Sequence, residues 1–143
     1  MKKLLAMTLV FLMVFSLVAC GSTNGDSGNA GQKANPEIQN YIDQNKSTII
    51  SAMESSFAST SGMTCSSSIE VEGDGFIISI NINELDDVSS DIKSQLQTTY
   101  DAMQSTFDSY LEELQSEISA LEYFTIKVCE KDGDVLATIT SRD

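Results

Sequence analysis

Ile69-Glu70-Val71-Glu72-Gly73-Asp74-Gly75-Phe76-Ile77-Ile78-Ser79-Ile80-Asn81-Ile82-Asn83 is the stretch that decides the fold. Ile69 and Val71 point one way and Glu70 and Glu72 the other. After Gly-Asp-Gly, Phe76, Ile78, Ile80 and Ile82 alternate with Ile77, Ser79, Asn81 and Asn83. Two period-2 runs around a turn that tolerates positive φ predict a β-hairpin with one apolar face. That face needs a cover.

On the N-terminal side, Pro36 and Glu37 suit the first turn of a helix, by ring geometry and by charge against the helix dipole. Ile38, Tyr41, Ile42, Ile49, Met53 and Phe57 follow at spacings of three, four or seven, forming one amphipathic stripe that ends near Ser59–Gly62. On the C-terminal side a second helix is expected from Asp86–Asp91, where acids and serines can cap. Its stripe runs Val88, Ile92, Leu96, Tyr100, Met103, Phe107, Leu111, Leu114, Ile118, Leu121. About 32 helical residues would span roughly 48 Å, against about 27 Å for an eight-residue strand. The expectation is a continuous helix with one end projecting, the alternative being a bend near Ser105–Ser109.

A closing hairpin is predicted from Tyr123–Glu130, a Lys131-Asp132-Gly133 turn and Asp134–Ser141. Phe124, Ile126 and Val128 share one face, and Val135, Ala137 and Ile139 share one on the partner strand. Both halves of the chain thus read helix, I-x-V, Asp-Gly turn, strand. The expected fold class is α+β: two α-β-β units, with two helices packed on one face of a four-stranded antiparallel sheet.

The first 35 residues carry a different message. Lys2 and Lys3 precede an apolar or small run from Leu4 to Val18, too short for the roughly 20 residues a spanning helix needs. It ends Leu17-Val18-Ala19-Cys20-Gly21, which resembles the lipobox of bacterial lipoproteins. The resemblance implies cleavage between Ala19 and Cys20 and a diacylglycerol on the Cys20 thiol. Two acyl chains are enough for stable anchoring. Gly21–Asn35 is Gly, Ser, Asn and Thr with almost no apolar side chain, and reads as a flexible tether. The expected organisation is a signal peptide at 1–19, a lipidated tether at 20–35, and one domain at 36–143.

The chain has 8 basic and 21 acidic residues, a formal charge of −13, and no histidine. Loss of Lys2 and Lys3 with the signal would deepen this to −15. Such a chain is repelled by nucleic acid and by anionic headgroups, so DNA and RNA are not expected as partners. The expected location is the extracytoplasmic face of the cell membrane, held by the acyl chains on Cys20.

From Glu37 to Asp143 the order of elements, the isoleucine-rich strand leading into an acidic helix start, and the closing Val128-x-x-x-Asp132-Gly133 hairpin carry a further resemblance. The chain resembles small lipoproteins of Gram-positive bacteria with a C-terminal domain of unknown function. That resemblance implies the address and the fold, with no substrate, cofactor or active site.

Chemistry finds little footing in the sequence. Serines and Cys65 and Cys129 lack an imidazole base, and no G-x-S-x-G elbow exists. Ser90-Asp91-Ile92-Lys93 has S-x-x-K spacing but lies in an acidic helix turn. Glu112, Glu113, Glu117 and Glu122 fit a solvated helix face. Asp74-Gly75 and Asp132-Gly133-Asp134 lack EF-hand spacing and fit hairpin turns. No metal site, cofactor or catalytic residue is assigned. Cys65 has the parity of Ile69 and Cys129 that of Thr125 and Lys127, which puts them on opposite faces. A Cys65–Cys129 disulfide would need a bulge, or Cys65 in the loop before its strand.

With both helices on one side, the other face of the sheet carries Ile77, Ser79, Asn81, Thr125 and Lys127 as a candidate binding face. The expected function is a lipid-anchored, extracytoplasmic binding module for a protein, peptide or envelope polymer, and not an enzyme. Alternatives are an inhibitor or shield of an envelope hydrolase, or a hydrolase working through paired carboxylates.

Overall fold

The computed structural model describes residues 33–142. The signal segment 1–19, Cys20 and the tether up to Gln32 lie outside the described residues. In chain order come α1 (Pro36–Ser61), β1 (Cys65–Glu72), β2 (Gly75–Ile82), α2 (Ser90–Asp101), α3 (Gln104–Gln115), β3 (Tyr123–Glu130) and β4 (Val135–Arg142).

α1 begins where its sequence says it should. Asn35 caps it, its Oδ1 accepting from Glu37 N–H at 3.0 Å, and Pro36 occupies the first turn. Asn35 also binds the first hairpin, donating its backbone N–H to Gly73 O at 2.9 Å and its side-chain amide to Asp74 Oδ1 at 2.8 Å. The helix ends at Gly62, whose φ of 67° is the left-handed conformation that costs glycine nothing. Its buried face is Ile38, Ile42, Ile49, Met53 and Phe57, five positions of the expected stripe.

The sheet corrects the expected antiparallel arrangement. Strand order is β1-β2-β3-β4, with β1–β2 and β3–β4 antiparallel but β2–β3 parallel. The reason lies in the length of the connection. β2 ends at Ile82, at one end of the sheet, and α2 and α3 carry the chain back to the other. There Glu122 N–H donates to Asp74 O at 2.8 Å, and Tyr123 starts β3 beside Gly75. A single helical pass returns a chain to the end from which the previous strand began, which makes the next strand parallel. Two similar hairpins therefore do not make two symmetric halves.

The second helix is not continuous. α2 ends at Asp101 and α3 starts at Gln104, with Met103 at φ −98° and ψ 3° between them. The break falls just before the Ser105–Ser109 region where a bend was the alternative. It brings Tyr100 and Phe107 together as stacked rings 6.5 Å apart, both buried. It also keeps both helices on β4 instead of letting one overhang. Gln97 of α2 donates to Thr138 O (2.8 Å) and accepts from Thr138 N–H (2.9 Å). From α3, Gln104 donates to Thr140 O at 3.0 Å, and Asp108 accepts from Ser141 Oγ at 2.7 Å. These side chains stand along the outer edge of β4 where a fifth strand would pair. α3 stops at Gln115. Ile118 and Leu121, the last members of the expected stripe, are buried from a tight turn instead.

Phe76, Ile78, Ile80, Ile82, Phe124, Ile126, Val128, Ala137 and Ile139 form one buried cluster with the helix residues. Phe76 and Phe124 stack across the parallel pair, with centroids 5.8 Å apart. One strand position breaks the expected parity. The register shifts at Val128/Cys129, so Leu136 is an extra residue in β4 and is buried, whereas Val135 is 49% exposed.

Candidate functional site: the uncovered face of the sheet

Strand register sorts the other face into four rows. They read Glu72–Gly75–Tyr123–Arg142, Glu70–Ile77–Thr125–Thr140, Ser68–Ser79–Lys127–Thr138, and Ser66–Asn81–Cys129–Val135. All five residues read from the sequence as a candidate binding face, Ile77, Ser79, Asn81, Thr125 and Lys127, stand here on the two central strands. Ile77, Ser79, Asn81 and Lys127 are half-buried, and Thr125 is buried between its neighbours. The Thr125 and Thr140 hydroxyls bond each other at 2.9 Å. Among the described residues, the side chains of Ser68, Glu70, Ser79, Asn81 and Lys127 have no hydrogen-bond or ion-pair partner. A row of polar groups held rigidly by strands and left to water is a surface on which a polar ligand can bond without first breaking protein contacts.

Tyr123 shapes one end of this face. Its ring lies across Gly75, where a Cβ would stand 2.5 Å from Tyr123 Cε1, and its hydroxyl donates to Glu72 O at 2.8 Å. Gly75 is buried under the ring, and any side chain there would have to push the ring aside. The Arg142 guanidinium sits 5.1 Å from the centroid of the same ring. Burial, with Glu72 and Asp74 nearby, raises the Tyr123 hydroxyl above its ordinary pKa, so it stays a neutral donor. Tyr123 and Arg142 escaped the sequence reading because their position over Gly75 follows from the parallel β2–β3 register, which nothing local encodes.

The two cysteines are free. Half-buried Cys65 is on the helix side of β1 and buried Cys129 on the uncovered face of β3, so the bulge in β4 does not bring them together. Burial raises both thiols above their ordinary pKa, Glu54 and Glu84 adding to it at Cys65 and Lys127 opposing it at Cys129. A raised thiol pKa lowers the thiolate fraction and with it nucleophilicity.

Several carboxylates have structural duties. Glu130 is 2% exposed and bonded to Lys93 at 2.8 Å and to Val88 N–H at 3.2 Å, fixing the loop before α2. Lys93 beside it holds the Glu130 carboxyl below the usual range. This places Lys93 of the S-x-x-K spacing in an ion pair with Glu130. Glu84 accepts from Thr64 N–H and Oγ1, and Glu54 accepts from Ser67 N–H on the outer edge of β1. Glu117 accepts from Tyr41 Oη and Glu37 from Ser119 Oγ, joining α1 to the turn after α3. Among the described residues no three His, Cys, Asp or Glu side chains gather as a metal set, and no helix is long and apolar enough to cross a membrane.

A family model described as a domain of unknown function, DUF4854, matches residues 35–141. The chain belongs to the DUF4854 family. The match begins at the Asn35 cap and ends one residue before the end of β4, so the DUF4854 unit is the whole α+β fold, including the Asn35 stitch to the first hairpin. No curated protein and no solved structure matches the chain. The uncovered face of the DUF4854 domain therefore has to be read from its own residues.

Proposed function

We propose that this chain is a lipid-anchored, extracytoplasmic binding module whose DUF4854 domain contacts a protein, peptide or envelope polymer through the uncovered sheet face, without chemistry of its own. The observation that carries the reading is the row structure of that face: the Ser68 and Ser79 hydroxyls, the Asn81 amide and the charges of Glu70 and Lys127, held by strands around half-buried Ile77 and without hydrogen-bond or ion-pair partners among the described residues. The address rests on the Leu17–Gly21 lipobox and on the acyl chains it would place on Cys20 of a small Gram-positive lipoprotein.

Two measurements test the two halves. Cys20→Ala should abolish incorporation of labelled fatty acid and release the protein from the membrane fraction; an alanine variant that is still labelled and still sediments with membranes refutes the anchor. Full-length protein should capture a reproducible envelope component, and Ile77→Asp, a charge at the centre of the face, should lose it while leaving the circular dichroism unchanged. Capture unaffected by Ile77→Asp moves the binding surface elsewhere.

A further inference from the structure

The charges of the uncovered face are sorted by strand. Its β1–β2 half carries Glu70 and Glu72 and no cation, and its β3–β4 half carries Lys127 and Arg142 and no acid. Two of these four stand at the end of the face that Tyr123 shapes. The Tyr123 hydroxyl bonds the backbone carbonyl of Glu72, and the Arg142 guanidinium rests on the Tyr123 ring, so that end is walled. Elsewhere in the domain Lys93 and Lys131 are neutralised by Glu130 and Asp86. Away from that end, Glu70 and Lys127 stand as an acid and a base on the same face, in adjacent rows and two strands apart, with Ile77 and Ser79 on the strand between them. From strand and residue spacings their Cα atoms are about 12 Å apart, too far to pair with each other.

That arrangement selects the charge pattern of an occupant. A ligand with one charge would meet either Glu70 or Lys127 and strand the other under itself, at a desolvation cost. A polyanion would be repelled by a chain of net charge −13. A zwitterion satisfies both groups and brings no net charge. At roughly 3.3–3.6 Å per extended residue, a span of about 10–12 Å corresponds to about three residues.

We infer that the face takes a short extended peptide with free amino and carboxyl ends, its ammonium at Glu70, its carboxylate at Lys127 and a central apolar side chain on Ile77. This rests on the reading of the uncovered face as the binding surface. The neighbouring Ser68 and Ser79 hydroxyls are within the same rows for the peptide's own N–H and C=O groups, and the Tyr123 wall bounds the site along one flank.

The probe is the tripeptide Ala-Leu-Ala, titrated into full-length protein in detergent micelles with isoleucine methyl groups labelled for NMR. The Ile77 methyl should shift saturably, while Ile126, on the buried face of the adjacent strand, should not. N-acetylation and C-amidation of the peptide should each weaken binding about two- to fivefold, the scale of one solvated ion pair. Lys127→Gln should erase the difference between the free acid and the amide, and Glu70→Gln the difference between the free amine and the acetylated form. Equal affinity for the free and doubly capped peptides, or no response at Ile77 at any concentration, overturns the inference. If Ile77→Asp still abolishes capture of an envelope component in that case, the peptide inference falls alone; loss of both results removes the binding face as well.

Discussion

Gly75→Ala is the sharpest probe of the parallel register, because the clash it creates exists only if β3 lies beside β2 as described. The new Cβ would stand 2.5–2.6 Å from three atoms of the Tyr123 ring. The ring is half-exposed and can swing toward solvent, but it then gives up two contacts. The Tyr123 hydroxyl bond to Glu72 O contributes about 0.5–1.5 kcal/mol, and the Arg142 contact about 0.5–1 kcal/mol at an exposed site. Against this, alanine in a strand gains about 0.5–1 kcal/mol over glycine from reduced freedom of the unfolded chain. The net expected cost is about 0.5–1.5 kcal/mol. In a Tyr123→Ala background the ring is gone, and the same substitution should become stabilising by about 0.5–1 kcal/mol. The change of sign corresponds to a coupling of about 1–2.5 kcal/mol, within what direct neighbours show. Urea unfolding of the 33–143 segment, followed by far-UV circular dichroism across the four-member cycle, measures it. Additive effects, with Gly75→Ala costing the same in both backgrounds, would refute the placement of Tyr123 over β2 and with it the parallel pair.

Three further outcomes are expected. Ile80→Ala should cost about 2–5 kcal/mol and Phe107→Ala about 3–5 kcal/mol, whereas Ser79→Ala, one position along on the uncovered face, should be nearly neutral in the same urea titrations. Because Lys93 lowers the folded-state pKa of Glu130, the pair contributes stability present above the ordinary carboxylate pKa and lost as pH falls through the lowered value. Glu130→Gln should therefore flatten the acid limb of a melting-temperature-versus-pH curve, and an unchanged slope would count against the pair. Melting with and without reductant should give the same midpoint, since Cys65 and Cys129 are unbridged on opposite faces; a drop of many degrees on reduction would contradict the structure.

Much of this fold is written in local periodicity. Pro36 and the Ile38–Phe57 stripe, the Ile69–Ile82 hairpin and the Phe124/Ile126/Val128 face are each set by residues within a turn or two of one another, and the structure keeps them. What sequence did not yield was relational. The parallel β2–β3 pair follows from which end of the sheet the α2–α3 segment returns to, a property of its whole length. The break at Ala102–Met103 is invisible to a hydrophobic stripe that continues at spacings of three and four through it, because the stripe reports which side is buried and not whether the axis bends. Val135 was misfaced by one inserted residue, Leu136, whose bulge has no sequence mark of its own. On the candidate face, parity alone located Ile77, Ser79, Asn81, Thr125 and Lys127, while Tyr123 and Arg142 needed the register.

The glutamines along β4 have a consequence for how copies of this protein can meet. Gln97 both donates to and accepts from Thr138, offering that residue the pair of bonds a neighbouring strand would offer, and Gln104 takes the next carbonyl. A side-chain amide and a peptide amide are the same chemical group, so the helices end the sheet in the sheet's own terms. If the proposed acyl anchor holds the molecules in two dimensions, they would collide edge to edge far more often than in free solution. With Thr138 N–H, Thr138 O and Thr140 O already bonded, the middle of β4 has little to offer in such a collision, and growth of the sheet from one copy into the next is opposed there.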